Sequence, residues 1–343
     1  MKAIAIEDKP EYRVPSMSEV EQVEWNGYNV ISTFSGCGGS SLGYRMAGFE
    51  VLWANEFIPI AAETYRLNHT AYVDESDIRQ VQSEEILDRL SLKKGELDLM
   101  DGSPPCDSFS TAGKGSEKWG KEKAYLGKRQ RTDDLFFEYT RLLEGLQPKV
   151  FVAENVSGLV KGKAKGYFKL ILQRLKDCGY NVKVKLLDAQ WLGVPQARQR
   201  VIFIGVRNDL GLEPKYPKPL SYRYTVRDVL PWSLRISHNK DYYHPSWKDS
   251  DCPSVAILGA GGNEKGGMIE AENDGSIEKR KFSIAELKRI CAFPDDFQLI
   301  GTFAEQWARL GLSVPPVMMY HIAKTVREEM LDKLKQAQLP KVV

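Results

Sequence analysis

The 343-residue sequence has no CxxC pair. Its five cysteines, Cys37, Cys106, Cys178, Cys252 and Cys291, are scattered and odd in number. A zinc site and a secreted disulfide framework are both unsupported, no metal is expected, and a reducing cytoplasm fits best. No apolar run is long enough to span a bilayer, and the opening "MKAIAIEDKPEYR" lacks a signal-peptide core. There is no internal repeat. Charge of one sign is also lacking: the net is only +2, which neither demands nor excludes nucleic acid, because a basic patch can sit on a neutral protein. What remains is ordinary globular composition, 42% hydrophobic and 27% charged. The length suits two domains, or one large and one small lobe.

Residues 1–27 are polar and acidic and read as a loose extension. From there strands and helices alternate. "YNVISTF", "EVLWANE", "ELDLMDGS", "KVFVAENV", "YNVKVKLLDA" and "RQRVIFIGVR" read as strands. "SSLGYRMAG", "PIAAETYRLNH", "TDDLFFEYTRLLEGLQ" and "GYFKLILQRLKDCG" read as helices, the third with Asp133 and Asp134 favouring its N-terminus. Alternation predicts an α/β, doubly wound, mostly parallel sheet covered on both faces. After Arg207 the texture turns to Pro, Tyr and Trp without helical period. This predicts a smaller irregular lobe over 208–306. Helical pattern returns from "FSIAELKRICAFP", where Ser283 and Glu286 form a capping box. Residues 307–343, with the long helix "VMMYHIAKTVREEMLDKLKQAQ", are expected to return to the large α/β domain, 28–207.

Two turns carry chemistry. "FSGCGGSSLG" follows a strand and opens a helix, so Gly36 and Gly38 would let backbone approach a ligand closely. Glu56, 20 residues past Gly36 at the end of the second strand, suits a ribose diol. The strict GxGxxG pattern fails at Ser41, which weakens a nicotinamide reading. Asp77 suits a purine amino group, although such a residue is more often a helix cap or a surface charge. In "DGSPPCDSFS", Pro104 and Pro105 stiffen the chain before Cys106, at the carboxyl edge where doubly wound folds bind ligands. Most lone cysteines are core residues. This setting points instead to a thiol aimed at a substrate.

The chain resembles the cytosine-5 DNA methyltransferases, of bacterial or phage type, over nearly its whole length. "FSGCGGSSLGYRMAGF", "DGSPPCDSFS", "AENVSGL", "VPQARQRVIFIG", "FSIAELKRICAFPDDF" and "GLSVPP" occur in that family's order and roughly its spacing. The resemblance implies S-adenosylmethionine as donor and a flipped-out cytosine in double-stranded DNA as acceptor. It implies Cys106 as nucleophile, Glu154 as the acid on ring nitrogen 3 and the exocyclic amine, and Arg200 on the base carbonyl. Arg198 and Gln196 would hold the thiol loop or a phosphate, with Ser110 on the substrate side. Phe34, Gly36, Gly38, Glu56, Asp77 and Asp101 would form the donor site, and Asn155 would brace the turn. The stretch from Lys114 to Arg131, seven basic residues against two acidic, would close over the site and touch phosphates. The irregular lobe maps to the target-recognition region, where Arg223, Arg227, Arg235, Tyr242, Tyr243 and Trp247 are candidates to reach DNA. A cognate restriction endonuclease is a possible partner, and no membrane is expected.

Three positions depart from the family: Leu312 for the usual Asn before "SVPP", Asp107 for Gln after the cysteine, and Ser32 for a first-strand Asp. They bear on rate and donor choice, and Leu312 alone raises transfer of a modified group. The alternatives are methylation of tRNA and a non-catalytic DNA-binding regulator on the same scaffold. The lobe after Arg207 argues against the first, and intact Cys106, Glu154 and Arg200 against the second.

Overall fold

The structure is a computed structural model that describes residues 9–105, 123–125, 128–130, 134–160, 164–237, 245–259 and 267–338. Its centre is a seven-stranded sheet. The strands are β1 (Asn29–Thr33), β2 (Glu50–Asn55), β3 (Tyr72–Asp74), β4 (Leu99–Gly102), β5 (Val150–Val156), β6 (Tyr180–Asp188) and β7 (Gln199–Arg207). Their spatial order is β3-β2-β1-β4-β5-β7-β6. All neighbours are parallel except β7, which runs against both β5 and β6. The central strands are continuous apolar runs because both faces are covered. Val30, Val152, Ile202 and Ile204 bury toward one helical layer, and Ile31, Met100, Phe151 and Phe203 toward the other.

Helix α1 (Gly39–Met46) leaves the first turn and packs against the C-terminal helix α8 (Pro316–Val326). The approach is close: a Cβ on Gly43 would lie 2.6 Å from Met319 Cβ. The expected long C-terminal helix is present to Gln338, with π-helical winding at Arg327–Leu331. Three further helices flank the sheet: α2 (Pro59–Asn68), α4 (Leu135–Leu146) and α5 (Lys165–Asp177). Two more helices, α3 (Ser83–Leu90) and α7 (Phe303–Leu312), were not anticipated, although both are amphipathic. Helix α6 (Ile284–Ile290) begins with the Ser283–Glu286 capping box. Asp134 sits at the N-cap of α4 without capping it; its carboxylate pairs with Arg79 instead. Asp133 lies outside the described residues.

Two expectations are corrected. The small lobe is ordered around a four-stranded antiparallel sheet of Trp247–Asp249, Ser233–Ser237, Met268–Asn273 and Ser276–Lys281, in that spatial order. Its last hairpin turns at Asp274 and Gly275, both left-handed, the chemistry of a tight Asp-Gly hairpin turn. Strands of three to six residues with mixed charges carry too little periodicity to announce themselves. Nor is the N-terminal segment loose from residue 9 onward. Its Val20 is buried in the same apolar cluster as Leu42 of α1 and Ile236 of the small sheet. Few apolar residues anchor it, so hydropathy gave no warning.

The reversed β7 ends at Arg207, at the sheet edge opposite the turns. The chain then travels back along β6, the outermost strand. There Tyr216 Oη meets the Lys183 carbonyl at 2.7 Å and the Ile202 carbonyl at 2.9 Å. Among the described residues no helix is long and apolar enough to cross a membrane.

Candidate active site

The first turn is built from an unfavourable conformation. Phe34 has φ +54°, a left-handed geometry costing a residue with a Cβ about 1–2 kcal/mol. Gly36 follows at φ +57°, and a Cβ placed there would meet nothing within 4 Å. Its backbone therefore faces open space. Gly38 differs: a Cβ there would lie 2.1 Å from His69 Nε2. The missing side chain makes room for a histidine. His69 is buried against Tyr65, ring centroids 4.3 Å apart, and burial pushes its pKa down to about 3, so it stands neutral. A sequence alone offers no signal for this wedge.

Glu56 at the end of β2 ties the turn to the sheet. Its carboxylate accepts from the Gly36 N–H at 2.8 Å and the Ile58 N–H at 2.7 Å. Asp77 lies beyond β3, but both its oxygens face Arg79 at 3.1 Å, and Arg79 reaches Asp134 at 2.9 Å. Its carboxylate belongs to an ion-pair chain. Asp101 is 1% exposed beneath the turn. It accepts from Ser40 at 2.7 Å, Ser32 at 3.0 Å and Tyr44 at 3.2 Å. Burial pushes its pKa up to about 7, against the three hydroxyls that favour the charge. The expected donor contact is therefore corrected to a brace joining β1, β4 and α1. Ser32 and Asp101 are register partners, so the carboxyl sits one strand over from the usual first-strand Asp.

The second turn follows β4. Cys106, Asp107, Ser110 and most of the Lys114–Arg131 stretch lie outside the described residues. Of that stretch only the backbone of two paired strands, Lys123–Tyr125 and Lys128–Gln130, is described. The approach to the thiol is fixed: Asn155 Nδ2 donates to the Pro104 carbonyl at 3.0 Å, and its Oδ1 accepts from Val156 N–H at 2.9 Å. The next side chain inward on β5 is Glu154, 8% exposed. Because β7 is antiparallel, the start of β7 lies at the same edge, pairing Arg200 with Val156 and Ile202 with Glu154. Arg200 Nε meets Glu154 Oε1 at 2.6 Å. Burial depresses the Arg200 pKa, and Glu154 works against that shift.

Arg198 and Gln196 point elsewhere. Arg198 is 2% exposed and donates to the carbonyls of Ile257 and Ser313, each at 3.0 Å. Burial, then the Arg200 charge, lower its pKa. Gln196 is 1% exposed; it donates to the Ile290 carbonyl and accepts from the Ile257 N–H. Both brace the "QARQR" strand against the small lobe and, for Arg198, the "LSVPP" turn; the thiol loop they were expected to hold lies outside the described residues. Leu312 is 46% exposed and packs against Gly259. In the small lobe, Arg227 pairs with Asp251 at 2.7 Å, and Arg223 stacks on Trp191 and bonds Gln190. Arg235 is partly exposed, lies over Trp247 and pairs with Glu270. Tyr242 and Tyr243 lie outside the described residues.

Two constellations thus share one sheet edge: a glycine turn bonded to a strand-end glutamate, and a glutamate–arginine pair next to the asparagine that holds the Pro104 carbonyl. The profile of the C-5 cytosine-specific DNA methylases matches residues 28–256 and 246–328. The chain belongs to this family. It is a DNA cytosine-5 methyltransferase of the S-adenosylmethionine-dependent fold. It is 32% identical to the type II methyltransferase M.FnuDI of Fusobacterium nucleatum, over 89% of this chain and 96% of that protein. It is 30% identical to M.NgoPII of Neisseria gonorrhoeae, over 91% and 99%. Crystal structures of Spodoptera frugiperda DNMT2, in a mutant form, and S. pombe Dnmt2 align with TM-scores of 0.65 and 0.61. They are 17% and 19% identical, cover 90% and 88% of this chain and 100% and 98% of their own, and show the same fold.

Proposed function

We propose that Cys106, Glu154 and Arg200 perform the reaction on a cytosine swung out of duplex DNA. The observation that carries this reading is the 2.6 Å Glu154–Arg200 pair beside the turn that Asn155 holds. A base inside the helix cannot reach a recessed pair, so it must be extruded. The Cys106 thiolate adds to carbon 6 of the ring. Glu154, hydrogen-bonded to ring nitrogen 3 and the exocyclic amine, stabilises the charge that moves into the ring, and carbon 5 becomes nucleophilic. Arg200 orients the base through its carbonyl. In the resting protein the two side chains neutralise each other, which keeps a mostly buried carboxylate from standing unpaired. After transfer, loss of the proton on carbon 5 and departure of sulfur from carbon 6 restore the aromatic ring and the thiolate.

S-adenosylmethionine would be held by Phe34, Gly36 and Glu56. It supplies an electrophilic methyl group when bound. The open space in front of Gly36 and the paired Glu56 carboxylate fit a nucleoside with a ribose diol. Residues 208–306 serve as the target-recognition lobe, with Arg235 and Trp247 its leading described candidates, and Lys114–Arg131 closes over the bound base. Its likeness to proteins named type II methyltransferases supports a restriction nuclease as its partner. The test is incubation with donor and duplex DNA carrying 5-fluorocytosine, which lacks the proton whose loss releases sulfur. A stable covalent complex is expected from the native protein and none from Cys106→Ser. Labelling of tRNA but not DNA, or binding without a trapped complex, would overturn the reading.

A further inference from the structure

We propose that residues 9–26 form a strap that sets the pitch of the small sheet over the catalytic domain. Lys9 and Tyr12 are then positioning residues for target recognition. This rests on reading the small lobe as the recognition element. One end of the strap grips that lobe. Lys9 Nζ reaches both Asp228 oxygens at 2.8 Å. Tyr12 stacks edge-on against Tyr224, centroids 4.9 Å apart, and donates to the Arg289 carbonyl at 3.1 Å. Tyr224 in turn donates to the Pro10 carbonyl at 3.1 Å. The other end holds the catalytic domain. Asn26 Nδ2 donates to the Ala47 carbonyl at 2.9 Å, where α1 ends.

The grip is transmitted. Asp228 closes the capping box of the short helix Val226–Val229 and meets Lys9 with the same carboxylate. From that helix Val226 N–H donates to the Cys252 carbonyl at 3.0 Å, and Arg227 N–H to the Ser250 carbonyl at 2.9 Å. Ser250 follows the strand that carries Trp247, and its own N–H donates to Leu234, beside Arg235. A path of side-chain and backbone contacts therefore runs from α1, which starts at the glycine turn, to Arg235 and the half-buried Trp247. The chain's own crossings between the domains do not include it, so the strap is an independent tie on lobe orientation.

The experiment uses the full-length protein carrying Lys9→Ala and Tyr12→Ala together, with Lys9→Arg as the conservative control. Donor affinity is read by calorimetry with S-adenosylhomocysteine. Recognition is read as kcat/KM on the preferred duplex against duplexes with one altered base pair. The strap predicts donor Kd within about twofold, KM for DNA raised about tenfold, and discrimination lowered about tenfold, on the scale of one lost base-pair preference. Lys9→Arg should behave as the native protein. If the double variant does not fold, Lys9→Ala alone, at a partly exposed ion pair, carries the test. Unchanged discrimination would overturn the proposal, as would parallel loss of donor affinity, DNA affinity and melting temperature. A native protein with no sequence preference would sink the recognition-lobe reading, and the strap with it.

Discussion

Asn155 is the sharpest point at which geometry and rate meet. Its amide bridges the Pro104 carbonyl, two residues before the thiol, and the Val156 N–H at the end of β5. It is buried, so water cannot readily take its place. Asn155→Ala leaves the Pro104 carbonyl without this donor, a cost of roughly 1–3 kcal/mol. If the turn relaxes by swinging the thiol away from Glu154, that energy appears in the barrier. Every 1.4 kcal/mol is about tenfold, so single-turnover methylation should slow roughly 10- to 100-fold. Asn155→Asp should be worse, since a carboxylate would face a carbonyl oxygen. The assay is rapid quench with labelled donor and saturating duplex DNA, run beside calorimetry with S-adenosylhomocysteine. Donor affinity should not move, because the glycine turn hangs from other strands. A variant turning over within twofold of native, or one that loses donor affinity in proportion, would refute this account of the peg.

Asp101 predicts a pH signature. Its pKa rises from 3.8 to about 7 on folding, so the folded state holds a proton the unfolded chain has released. The associated stability is present below pH 4 and lost as pH rises to 7, up to about 4 kcal/mol. Asp101→Asn should remove this slope and gain on the native protein between pH 5 and 8 in urea unfolding; a pH-independent difference would contradict it. The two glycines should separate stability from binding. Gly36→Ala should cost about 1–2 kcal/mol for its backbone angle and weaken donor binding, as its methyl enters the open space. Gly38→Ala drives a methyl into His69 and should lower the melting temperature far more; equal effects would argue against the assignment.

The catalytic core was legible because each piece is local. Strand, glycine turn and helix follow one another in sequence, as do strand, prolines and cysteine, and buried strands advertise themselves as apolar runs. Glu154 and Arg200 required the family resemblance, since an acid and an arginine ending strands look like surface charges. Their meeting depends on β7 being reversed, which no window of sequence reveals. Asp101 was misdirected for the same reason: a polar residue beside a site resembles a ligand contact until its internal partners are seen. The small sheet hid because its strands are short and highly charged, although "NDGS" carried a hairpin signal.

The reversed strand has an effect beyond the reaction. A chain that finishes at the wrong end of the sheet must retrace its full length before it can build anything near DNA. That return passage packs over β6 and β7, where Leu212 and Tyr216 join the apolar layer on one face of the sheet and the Tyr216 hydroxyl meets a carbonyl of each strand. Pro214, Pro217 and Pro219 stud it, so it lacks three of the N–H groups a further strand would need. Shortening this linker to make a smaller enzyme would therefore uncover apolar surface on that face, and such versions should fail first by self-association rather than by loss of chemistry.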